Sequence, residues 1–126
     1  MQVSVLVTAG LNSPAAVSAL LYCRALVNQS VPLHQVFFYQ DGVQLALANR
    51  HSGPGEVAIA SEWQAWVQAH GVSAMVCTAS AVRRGVFDDT AAQQYHGKVT
   101  LAQGFTLAGL GAWAEALKHS HKVISF

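Results

Sequence analysis

The chain has 126 residues, the size of a single domain, and its 52% apolar content is enough for a sizeable core. Charged residues are only 10% and the formal net charge is +1 with no basic run, which excludes broad electrostatic binding of nucleic acid. Ordinary domains carry about 25% charged residues, so the shortage implies that other subunits cover part of the surface.

Met1 to Gly10 lacks the positively charged start of a secretory signal and reads as a first strand. No apolar run approaches the ~18 residues of a membrane span. Two cysteines are too few for a disulfide framework. These features lead us to expect one cytoplasmic domain over residues 1–126, with no membrane contact.

The predicted elements alternate. Gln2 to Thr8 is a Val- and Leu-rich strand. Ser13 caps a helix that starts at Pro14 and runs to about Gln29. Leu33 to Tyr39 is a second strand, ended by Asp41-Gly42, and Val43 to Asn49 is a short helix. Glu56 to His70 is a long helix closed by Gly71, and Val72 to Cys77 is a third strand. Thr78 to Arg84 is a helical turn, and Asp88-Asp89-Thr90 caps a short helix from Ala91 to Tyr95. Lys98 to Ala102 is a short fourth strand, Phe105 to Lys118 a helix, and Val123 to Phe126 the last strand. This order predicts a mostly parallel sheet covered on both faces, with its site at the C-terminal strand ends near a reversal of strand order. Thr8 to Gly10, Tyr39 to Gly42 and Cys77 then meet at one rim.

Cys77 carries the clearest chemical signal. It stands where an apolar strand runs into a helix, with Arg83 and Arg84 less than two turns further on. Free backbone N–H groups at a helix start and nearby cations both favour an anionic, nucleophilic sulfur. A buried strand cysteine is the plainer alternative for this residue type, and the strand-end position with its arginines outweighs it. Cys23, in mid-helix between Tyr22 and Arg24, has no such surroundings and reads as structural.

Five residues separate Cys77 from Arg83, a spacing shared with the phosphate loop of cysteine phosphatases, with Asp88 or Asp89 as general acid. The intervening Thr78-Ala-Ser-Ala-Val82 lacks the glycine that eases a backbone cradle. His119 and His121 have no Cys, Asp or Glu partner at zinc spacing, so no metal site is expected. His96 and Tyr95 follow the turn and are candidates to face the site. Gly104 to Gly111 is not a dinucleotide fingerprint, and its glycines call for a close backbone approach by the sheet or by a second subunit.

Val76-Cys-Thr-Ala-Ser-Ala-Val-Arg-Arg-Gly-Val-Phe-Asp-Asp89 resembles the active segment of the DsrE family of sulfur-relay proteins. Phe37 to Val43, Gly104 to Gly111 and Val123 to Phe126 resemble further segments of that family, so the likeness spans essentially the whole chain. It implies a flavodoxin-like, three-layer α/β/α fold with a mostly parallel sheet of about five strands. It implies a sulfurtransferase that carries a persulfide on Cys77, with Arg83 and Arg84 stabilising the anionic sulfur and Asp41 and Gly42 shaping the rim. The implied setting is a heterohexamer with TusB-like and TusC-like subunits. Sulfur would come from a TusA-like donor and leave to a TusE-like acceptor, in support of 2-thiolation of a tRNA wobble uridine. No metal, nucleotide or redox cofactor is required. Family relatives in sulfur oxidation, or a non-catalytic assembly subunit, are the alternative readings.

Overall fold

The computed structural model describes residues 1–126. Val3–Val7 (β1), Leu33–Phe38 (β2), Ala74–Cys77 (β3), Phe105–Ala108 (β4) and Lys122–Ser125 (β5) form one sheet in the spatial order β4-β3-β2-β1-β5. Every pairing is parallel. The helices are Pro14–Asn28 (α1), Ile59–His70 (α2), Thr78–Arg83 (α3), Asp89–Gln94 (α4) and Leu110–Lys118 (α5), with a 3-10 helix over Gln40–Ala46. No helix is long and apolar enough to cross a membrane.

Strand order fixes the layers. From β1 to β2 to β3 the chain steps one way across the sheet, whereas β5 returns to the far side of β1. Right-handed crossovers therefore put α1 and α2 on one face and α5 on the other. Two neighbours in β2 show both faces: the Phe38 ring meets Trp63 of α2 at 5.1 Å, and the Phe37 ring meets Trp113 of α5 at 5.6 Å. The result is a flavodoxin-like α/β fold with helices on both sides of an all-parallel sheet.

The main core lies under α1 and α2. It joins Val3, Val5 and Val7 of β1 and Val36 and Phe38 of β2 to Ala16, Ala19 and Leu20 of α1 and Trp63 and Val67 of α2. Trp63 is fully buried and donates its indole N–H to the Ala16 carbonyl at 3.1 Å, so its polar handle is satisfied and its full burial contributes about 2–3 kcal/mol. Local signals match: Ser13 accepts from the Ala15 N–H, Asp88 from the Ala91 N–H, and Gly71 closes α2 in the left-handed region.

The chain departs from the sequence expectations in four places. Lys98 to Ala102 is not a sheet strand: Leu101 makes a lone antiparallel bridge to Leu47, and the Ala102 N–H bonds the Ala46 carbonyl. The fourth strand is Phe105–Ala108, from the stretch read as the start of a helix, and α5 begins at Leu110. Pairing to Ala74–Cys77 decides this, because it seats Phe105 in the core beside β3. The turn after β2 winds as a 3-10 helix from Gln40, earlier and tighter than the expected Val43 to Asn49. Of the Gly-rich segment, Gly104 is left-handed (φ 100°) against Gln68, whereas a Cβ at Gly109 or Gly111 would enter open space.

Candidate active site

Cys77 is the last residue of β3 and the N-cap residue of α3, with no loop between the two elements. Side chains alternate along a strand. Ala74 and Val76 enter the core under α1 and α2, so Cys77 turns to the α5 side. It pairs with Ala108, which brings the first turn of α5 beside it. The strand-order reversal lies between β1 and β5, two strands away from β3, so Cys77 is at the C-terminal rim but not at the reversal itself.

A cavity of about 470 Å³ opens at this rim, lined by Thr8, Tyr39, Gln40, Asp41, Cys77, Ala79, Ser80, Arg83, Arg84 and Leu110. The ends of β1, β2 and β3 thus meet the 3-10 helix, α3 and α5 at one place. Cys77 lines this cavity yet is only 1% exposed, so the residue is almost wholly covered by its neighbours.

The 3-10 helix and α3 are joined by polar contacts. Ser80 Oγ, buried at 3% exposure, accepts the Gln40 backbone N–H at 3.0 Å. Arg84 Nε donates to Asp41 Oδ1 at 3.0 Å, and Arg84 Nη1 donates to the Ser80 carbonyl at 3.1 Å. Gly42 does not line the cavity. It abuts the Val7 carbonyl, where a Cβ would overlap the oxygen, and so sets the seat of the 3-10 helix and of Asp41. Arg84 also borders a neighbouring cavity of about 280 Å³ with Asn12, Gln44, Arg50 and His51.

Cys77, Arg83, Arg84 and Asp41 are therefore together, and Gly42 acts from behind. Ser80 and Leu110 are additional. Ser80 is one helical turn after Cys77, a spacing that put it on the same side, and Leu110 was hidden by the misread start of α5. Tyr95 and His96 do not line the cavity; Tyr95 stacks on Phe87 instead. The residues between Cys77 and Arg83 are helical, so they form no wrapped phosphate loop, and Asp88 is spent as the cap of α4. His119 pairs with Glu115 and His121 accepts from the Gln2 N–H. Cys23 is sealed in the core, and burial pushes its thiol up to about 12.

The model of the DsrE/DsrF-like family matches residues 1–126. Sulfurtransferase TusD of Salmonella arizonae is 40% identical over 112 residues, covering 88% of each protein. The protein of that name from Salmonella newport is 38% identical and covers 100% of both chains. The crystal structure of the ychN protein from E. coli superposes with a TM-score of 0.77 at 24% identity, covering 100% of both chains, which shows a common fold. The match along the full length and the identity to these relatives place the chain in the DsrE/DsrF-like family.

Proposed function

We propose that the chain is a sulfurtransferase of a sulfur relay, carrying sulfur as a persulfide on Cys77. The observation that carries this reading is the placement of Cys77 in one cavity with Arg83 and Arg84, in a chain whose relatives are named sulfurtransferases. The Cys77 thiolate attacks the terminal sulfur of a donor persulfide. The donor's S–S bond breaks, its electron pair leaves on the donor thiolate, and Cys77 holds the outer sulfur with its proton or as the anion. A thiolate on an acceptor then attacks that outer sulfur and Cys77 leaves as a thiolate. Both steps are thiol exchanges with no net oxidation. Arg83 lines the same cavity and supplies the positive charge that meets the anionic sulfur at each stage, and Arg84 holds the cavity wall through Asp41 and the Ser80 carbonyl.

The donor proposed is a TusA-like carrier and the acceptor a TusE-like protein, with TusB-like and TusC-like subunits beside this one in a heterohexamer. The product pathway proposed is 2-thiolation of a tRNA wobble uridine, in the cytoplasm. The low charge of the chain and the exposed Leu110 and Leu117 of α5 support subunit partners. Whole-protein mass measurement after incubation with a persulfidated TusA-like donor tests the central step. The expected result is a gain of one sulfur that is absent in Cys77→Ser. Equal loading of that variant overturns it and leaves the role of an assembly subunit.

A further inference from the structure

Arg83 and Arg84 are consecutive and line the same cavity, yet their surroundings differ. Arg84 is held at two points, the Asp41 carboxylate at 3.0 Å and the Ser80 carbonyl at 3.1 Å. Its guanidinium and Asp41 form a pair with no net charge. Arg83 has no hydrogen bond and no ion-pair partner, and it is exposed at the cavity wall. A cation paired with a carboxylate acts on a third charge as a dipole, and its field falls off faster with distance than that of a lone charge.

Granted the role of Cys77 proposed above, we infer that the two arginines have separate tasks. Arg83 is the uncompensated cation that meets the anionic sulfur, so the cavity selects anionic sulfur species over neutral ones. Arg84 is a positioning residue. With Asp41 and Ser80 it ties α3 to the 3-10 helix and fixes the cavity wall. Gln40 supports this second part. Its backbone is left-handed at φ 51°, a conformation that residues with a Cβ adopt rarely. Its N–H is held by Ser80 Oγ, and the next residue is held by Arg84. Two contacts, one from α3 and one from its C-cap residue Arg84, thus keep an unfavourable turn in place beside Cys77.

The experiment alkylates Cys77 in the intact protein at low ionic strength, with iodoacetate as an anionic probe and iodoacetamide as a neutral one. Labelling is read on the Cys77 peptide by mass spectrometry. Both reagents consume the same thiolate, so the ratio of their rates reports local charge and cancels changes in thiolate fraction. Arg83→Gln is expected to lower the iodoacetate preference about three- to tenfold, and Arg83→Lys to restore most of it. Removing the pair together, in Asp41→Asn/Arg84→Gln, is expected to leave the ratio within about twofold of the parent, and Asp41→Asn alone to raise it. An unchanged ratio in Arg83→Gln overturns the division, as does a drop in the double variant equal to that of Arg83→Gln. Absence of labelling by either reagent overturns the sulfur-carrying role of Cys77 as well, which separates the two failures.

Discussion

Gly42 and Val7 are in backbone contact: the Gly42 α-carbon faces the Val7 carbonyl so closely that no Cβ fits between them. The neighbour is main chain at the end of β1, which cannot swing aside as a flexible side chain does. Gly42→Ala is therefore expected to destabilise the protein by about 2–4 kcal/mol, read as a lower urea midpoint. Asp41 moves with this turn, so the same variant should load sulfur on Cys77 more slowly. A midpoint equal to the parent's contradicts the contact.

Ser80→Ala removes the acceptor of the Gln40 N–H in a partly buried setting. Loss of such a bond costs about 0.5–1.5 kcal/mol, which chemical denaturation measures. Ser80→Thr keeps the hydroxyl and should lose less. Equal stability of Ser80→Ala and the parent would show that the hydroxyl does not hold the turn.

Trp63 has two separable contributions. Trp63→Phe keeps an aromatic ring opposite Phe38 but gives up the bond to the Ala16 carbonyl, a loss of about 1–2 kcal/mol. Trp63→Ala also opens a cavity in the core and is expected to cost about 3–5 kcal/mol. Thermal or urea unfolding should rank parent, Trp63→Phe and Trp63→Ala in that order.

Cys23 predicts a pH dependence of stability. Burial raises its thiol from the usual 9.0 to about 12 in the folded chain. Below pH 9 both states keep the proton and its contribution is complete; between pH 9 and 12 the unfolded chain releases it while the folded chain does not. Stability is thus lost as pH rises, by up to about 1.4 kcal/mol per unit from this group. Urea titrations at several pH values should show a shallower decline for Cys23→Ala than for the parent across that window. Identical slopes would remove the assignment.

Much of this arrangement was legible in the sequence because it is local. The third strand runs into α3 without a loop, so Cys77, Arg83 and Arg84 fall into place from spacing alone. The caps at Ser13 and Asp88 are likewise short-range. Contacts distant in sequence were not legible. Asp41 and Arg84 are 43 residues apart, and their bond exists only because β2 and β3 are neighbours in the sheet. The fourth strand was misplaced for the same reason. Phe105–Ala108 passes into α5 through Gly109 alone, with no turn signal, and only its pairing with β3 makes it a strand. Val99 and Leu101 alternate like a strand, but the backbone of this stretch bonds to Phe87, Ala46 and Ala48 rather than to the sheet.

Cys23 is packed in the core beneath α1 and α2, and Cys77 projects from the opposite side of the sheet. The folded chain consequently has no resolving thiol of its own. If an oxidant converts Cys77 to a sulfenic acid, no internal disulfide can form to protect it from further, irreversible oxidation. Rescue of the damaged residue depends on a reductant or thiol delivered by another molecule through the cavity that Cys77 lines.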